Sequence, residues 1–123
     1  LSALARGDRS MQAWATFAKR SDSVIFASCL TLAEVIDGTA RDVGVRRAAK
    51  AVRVLDVSSE IGYRAGQLRA AAVASRRKHR DLTVDAVVAA TALTFPTPVV
   101  VLTSDPEDLR LLLAGHDVRA EAI

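Results

Sequence analysis

At 123 residues the chain is the size of one domain, and with 50% hydrophobic residues it can bury a substantial core. One Trp, one Tyr and three Phe leave that core to Val, Leu and Ala. The net charge of +3 is compatible with a nucleic-acid partner without requiring one. A single cysteine, Cys29, excludes an internal disulfide and a thiolate metal cluster, and points to a reducing, cytoplasmic setting. The uncharged run from Ala86 to Ser104 has the length of a membrane span, but Pro96 and Pro98 divide it, so it reads as helix plus strand and no membrane partner is expected.

In chain order, residues 1–20 read as helical, with Leu4, Met11, Trp14, Ala15 and Ala18 on one face and Gly7 as an interruption. Arg6-Gly7-Asp8 is read as that helix break, not as an adhesion motif. Val24 to Ala27 is a short apolar run suited to a strand buried on both faces. Ser28 is placed to cap a helix that runs to Gly38 and carries Glu34 between apolar neighbours. A carboxylate in that setting is either solvated or needs a partner.

A further helix is expected over Val43 to Arg53, with Arg46, Lys50 and Arg53 as a basic stripe. Val54 to Val57 is a strand candidate, and Ser58 or Ser59 caps the long helix after it. Ile61, Ala65, Leu68, Ala72 and Val73 lie near one side of that helix. It ends in Arg76, Arg77, Lys78, His79 and Arg80, a cationic run that either complements the helix dipole or meets phosphate.

Thr83 is expected to cap the next helix, whose Asp85, Val88, Ala89 and Ala92 share a face. Pro96-Thr97-Pro98 turns the chain into a strand over Val99 to Leu102. Asp105 and Pro106 then open a helix through Ala114, with Asp108 in its first turn. Gly115 ends it, and Val118 to Ile123 reads as an edge strand. This alternation predicts a three-layer α/β/α domain with a mainly parallel sheet flanked by helices, spanning residues 1–123 as one unit.

In open parallel sheets chemistry gathers at the carboxyl ends of strands. Glu34 follows one strand, Asp105 follows another, and Asp85 opens the helix leading into the latter strand. Brought together, such acids form an oxygen-donor site for Mg²⁺ or Mn²⁺, suited to polarising a phosphodiester and activating water. Taken singly, Asp85 also fits as a dipole-complementing acid and Asp105 as a helix cap. There is no phosphate-binding glycine loop, and His79 and His116 lack ligand spacing for zinc.

Three segments carry a family resemblance: Ser28-Cys29-Leu30-Thr31-Leu32-Ala33-Glu34-Val35, Asp85-Ala86-Val87-Val88-Ala89-Ala90-Thr91-Ala92-Leu93, and Val101-Leu102-Thr103-Ser104-Asp105-Pro106-Glu107-Asp108-Leu109. In order and spacing they resemble PIN-domain ribonucleases, specifically VapC-type toxins of bacterial type II toxin–antitoxin systems. The resemblance implies a Mg²⁺- or Mn²⁺-dependent endoribonuclease in which Glu34, Asp85 and Asp105 hold the metal and Asp108 assists. It makes Thr103 or Ser104 a supporting polar position, and it implies a homodimer bound by a cognate VapB-type antitoxin. Substrate RNA is then expected on two basic tracks, one of Arg46, Lys50 and Arg53, the other of Arg76, Arg77, Lys78 and Arg80.

The family's first acid stands at the end of a first strand, a pattern that should already have passed where this sequence opens with Leu1-Ser2-Ala3-Leu4. The expectation is therefore that roughly six to ten residues precede Leu1, forming a central strand with an aspartate near its end. Two other readings compete: a non-catalytic or degenerate PIN-like subunit, and a flavodoxin-like Mg²⁺-binding signalling domain. The second would want a lysine after its last strand, and the only lysines are Lys19, Lys50 and Lys78.

Overall fold

A computed structural model describes residues 1–74 and 81–123. The chain is mixed α/β and divides into two compact units, Leu1–Asp56 and Val57–Ile123. Its described strands pair in parallel as two small two-stranded sheets. Among the described residues no helix is long and apolar enough to cross a membrane.

The first unit opens with helix α1 (Ser2–Ala5) and helix α2 (Arg9–Arg20). Gly7 separates them at φ +68°, a left-handed conformation that costs glycine little. Asp8 caps α2 by accepting from the Met11 N–H at 3.2 Å. Met11 is buried, while Trp14 meets Phe17 edge to face at 6.0 Å between ring centroids. Strand β1 (Phe26–Ser28) pairs with β2 (Arg53–Leu55), Phe26 opposite Arg53 and Ser28 opposite Leu55. Between them lie helices α3 (Cys29–Val35) and α4 (Asp42–Lys50). Ala3, Met11, Val45 and Ala48 form the buried apolar set of this unit, and Ser28 is buried with them.

Three sequence expectations shift here. The strand begins at Phe26, and Val24 is 54% exposed, so the apolar run extends beyond the paired segment. Helix α3 stops at Val35, because the Asp42 carboxylate accepts from the N–H groups of Asp37 and Gly38 at 3.0 and 2.9 Å and folds that segment into a turn. Helix α4 stops at Lys50; Arg53 is a strand residue whose N–H donates to the Ile25 carbonyl at 3.0 Å. Arg46, Lys50 and Arg53 are all exposed, but they do not form one helical stripe.

The second unit begins with helix α5 (Ser59–Ala74), capped by Ser58, whose Oγ accepts from the Ile61 N–H at 3.2 Å. Ala65, Leu68 and Ala72 face inward; Val73, expected with them, is exposed. Helix α6 (Thr83–Ala92) is buried around most of its circumference, through Ala86, Val87, Ala89, Ala90, Thr91 and Ala92. Its small side chains let neighbouring elements approach closely. Strand β3 (Val100–Thr103) follows, one residue later than expected, then helix α7 (Pro106–Leu112) and strand β4 (Arg119–Ala122). β3 and β4 run parallel, Val100 opposite Arg119 and Thr103 opposite Ala122. Leu109, Leu112 and Leu113 bury the inner face of α7, and Arg110 donates to the Ala120 carbonyl at 2.9 Å, tying α7 to β4. Gly115, at φ +81°, turns the chain between them.

Candidate metal centre

The second unit collects three carboxylates. Asp85 stands in the first turn of α6, Asp105 follows the end of β3, and Asp108 lies in the first turn of α7. Each can offer one carboxylate oxygen such that all three atoms lie within 4.8 Å of one another. Asp85 and Asp105 are half-buried, and Asp108 is only 6% exposed.

Local sequence accounts for each placement. β3 delivers the chain to its carboxyl end, where Asp105 turns it into α7 with Pro106 fixing the first helical φ. Asp105 has φ −130° and ψ 66°, and its side chain makes no cap hydrogen bond. The turn is held instead by Thr103, whose Oγ1 accepts from the Asp105 N–H at 3.0 Å. The cap reading of Asp105 is thus corrected: it has the position of a cap without the bond. Asp108 lies one turn before Leu112 on α7, which draws it toward the buried face.

The start of α6 also differs from expectation. Thr83 is its first helical residue, not its cap; the cap position belongs to Leu82, which supplies no side-chain bond. Asp81 serves the helix end instead, its Oδ1 accepting from the Thr83 N–H at 2.9 Å and the Thr83 hydroxyl at 2.6 Å. Arg69 of α5 donates to Thr83 Oγ1 at 2.9 Å. The Asp81 carboxyl is held below its usual range, first by the Thr83 hydroxyl, then by the Thr83 N–H, with a smaller contribution from the Arg69 charge.

Of the other expected site residues, Glu34 is exposed on α3 in the first unit, and the carboxylate trio is drawn from the second unit alone. Thr103 accepts from the Asp105 backbone N–H as described above, whereas Ser104 is exposed. Arg76, Arg77, Lys78 and Arg80 lie outside the described residues. Sequence reasoning gave Asp108 only an assisting place and missed Arg69 and Asp81. An Asp two residues before a helix-opening Thr is a turn signal that was there to be read.

Two ionised carboxylates at this spacing repel by roughly 3–4 kcal/mol at an effective dielectric of 20. Such an arrangement is relieved by a shared proton, by basic groups nearby or by a bound cation. The donor set fits Mg²⁺ or Mn²⁺: all three ligands are hard oxygens, and octahedral ligands about 2.1 Å from a metal stand roughly 3–4 Å apart. Comparison of the chain with family models, with curated proteins and with solved structures gives no match.

Proposed function

We propose that this chain is a divalent-metal-dependent endoribonuclease of three-layer PIN fold, acting as the toxin of a type II toxin–antitoxin pair. The observation that carries the reading is the convergence of Asp85, Asp105 and Asp108 at the carboxyl end of a parallel strand. Asp85 and Asp105 are two of the three acids that the family resemblance assigns to the metal, Glu34 being the third, and they meet although they are separated in sequence.

A bound Mg²⁺ or Mn²⁺ would supply charge neutralisation for a phosphodiester and activation of water. The chain's own part is to hold the oxygens in place. Asp85 contributes from α6 and Asp105 from the β3–α7 turn that Thr103 fixes, while Asp108 contributes from the buried side of α7. Glu34 is a further acid of the reading, and exposed Arg46, Lys50 and Arg53 are cations for RNA phosphate. A homodimer and an antitoxin that covers the acids complete the reading on the strength of the resemblance.

The test is a calorimetric Mn²⁺ titration of the purified chain with cleavage of a labelled RNA run alongside. Saturable binding with metal-dependent cleavage supports the reading; neither binding nor cleavage overturns it.

A further inference from the structure

The acids sit on helix ends, and a helix end frays unless its first amides find partners. In α6 the cap position, Leu82, offers no side-chain acceptor. The first turn is tied instead through Thr83: to Asp81 by the two bonds at 2.9 and 2.6 Å, and to Arg69 of α5 by the bond at 2.9 Å. These bonds join the segment before the helix, its first residue and a neighbouring helix. Asp85 follows two residues later, about 200° around the helix axis. The tie therefore engages Thr83 on the side of the turn opposite Asp85.

We propose that the Asp81–Thr83–Arg69 hydrogen-bond chain is a positioning brace that sets the metal affinity of Asp85. The inference rests on the metal-centre reading above. A ligand on a fraying turn must be ordered before it can hold a cation, and that ordering weakens binding. A braced turn presents Asp85 already in register with Asp105 and Asp108. Thr83 serves as both donor and acceptor in the brace, and serine alone shares its hydroxyl chemistry at similar size.

The test uses the full chain, Mn²⁺ alone as the probe, and two readouts: calorimetric affinity and hydrogen exchange at the Thr83 and Ala86 amides. The Ala86 N–H donates to the Leu82 carbonyl at 2.8 Å and so reports on closure of the turn. Thr83→Ala should weaken Mn²⁺ binding roughly three- to tenfold and speed exchange at both amides. Thr83→Ser should restore both to within about twofold. Arg69→Ala removes the brace from the α5 side without touching α6, so it keeps the test open if Thr83→Ala folds poorly; it should weaken binding in the same direction. Because the two residues share one bond, the double variant should be little worse than the weaker single variant. Parent-like affinity in Thr83→Ala or Arg69→Ala overturns the brace while leaving the metal centre standing, as does a Thr83→Ser variant as weak as the alanine. A parent chain that binds no Mn²⁺ overturns the metal centre itself, and the brace with it.

Discussion

The Asp105 N–H donates to Thr103 Oγ1 at 3.0 Å, so the hydroxyl at the end of β3 fixes the turn that carries the acid. The carboxylate of Asp105 makes no cap bond to α7 and instead lies within reach of Asp85 and Asp108. Replacing Thr103 by Val keeps shape and removes the acceptor. We expect a stability loss of about 0.5–1.5 kcal/mol by denaturant unfolding, together with weaker Mn²⁺ binding. Thr103→Ser should recover most of both.

Metal should stabilise the folded chain by mass action. At a free Mn²⁺ concentration near one hundred times Kd the gain is about 2.7 kcal/mol, read as a rise in melting temperature that a chelator reverses. Asp85→Asn keeps the size of the side chain and removes one charged oxygen ligand. It should fold like the parent and lose most of the Mn²⁺-dependent rise. An equal rise in both proteins would remove Asp85 from the ligand set.

Much of this site could be read from the residues. Asp105-Pro106 after an apolar run announces a strand ending in a helix start, and the division of Ala86 to Ser104 into α6 and β3 follows from its prolines. Ser28 and Gly7 marked element ends correctly. What failed depends on partners distant in sequence. Arg53 continues a helical pattern locally, yet its N–H is taken by Ile25 in strand pairing. Thr83 looks like a cap, but its hydroxyl is engaged elsewhere, donating to Asp81 and accepting from Arg69. Asp108 reads as a first-turn acid, and only the packing of Leu109 and Leu112 shows that it is drawn inside.

Acid should loosen two turns. The Asp81 carboxyl is held below its usual range by Thr83 and then Arg69, and that of Asp37 by Thr39 and then Arg41. A depressed folded-state value means the carboxylate stabilises the fold fully above its unfolded value, near pH 4, and less as pH falls through the lowered folded value. Asp81→Asn should therefore be less stable than the parent at neutral pH, with the gap closing as pH drops below about 4. Urea midpoints measured across that range check this; a gap that widens on acidification would contradict it.

Leu109 is 1% exposed and anchors α7 beside Asp108. Leu109→Ala should cost about 2–5 kcal/mol through lost burial and an unfilled cavity. Chemical denaturation gives the number, and a loss under 1 kcal/mol would mean the packing around α7 relaxes far more than its burial implies.

The most direct test of a metal-centred ribonuclease is the rate of RNA cleavage against Mn²⁺ concentration, for the parent chain and for Asp105→Asn. Cleavage by the parent should rise with Mn²⁺ and saturate, and the variant should be slower by about a hundredfold or more, the scale of losing one stabilising group at a reacting centre. Cleavage that ignores Mn²⁺, or that proceeds equally in Asp105→Asn, would contradict it.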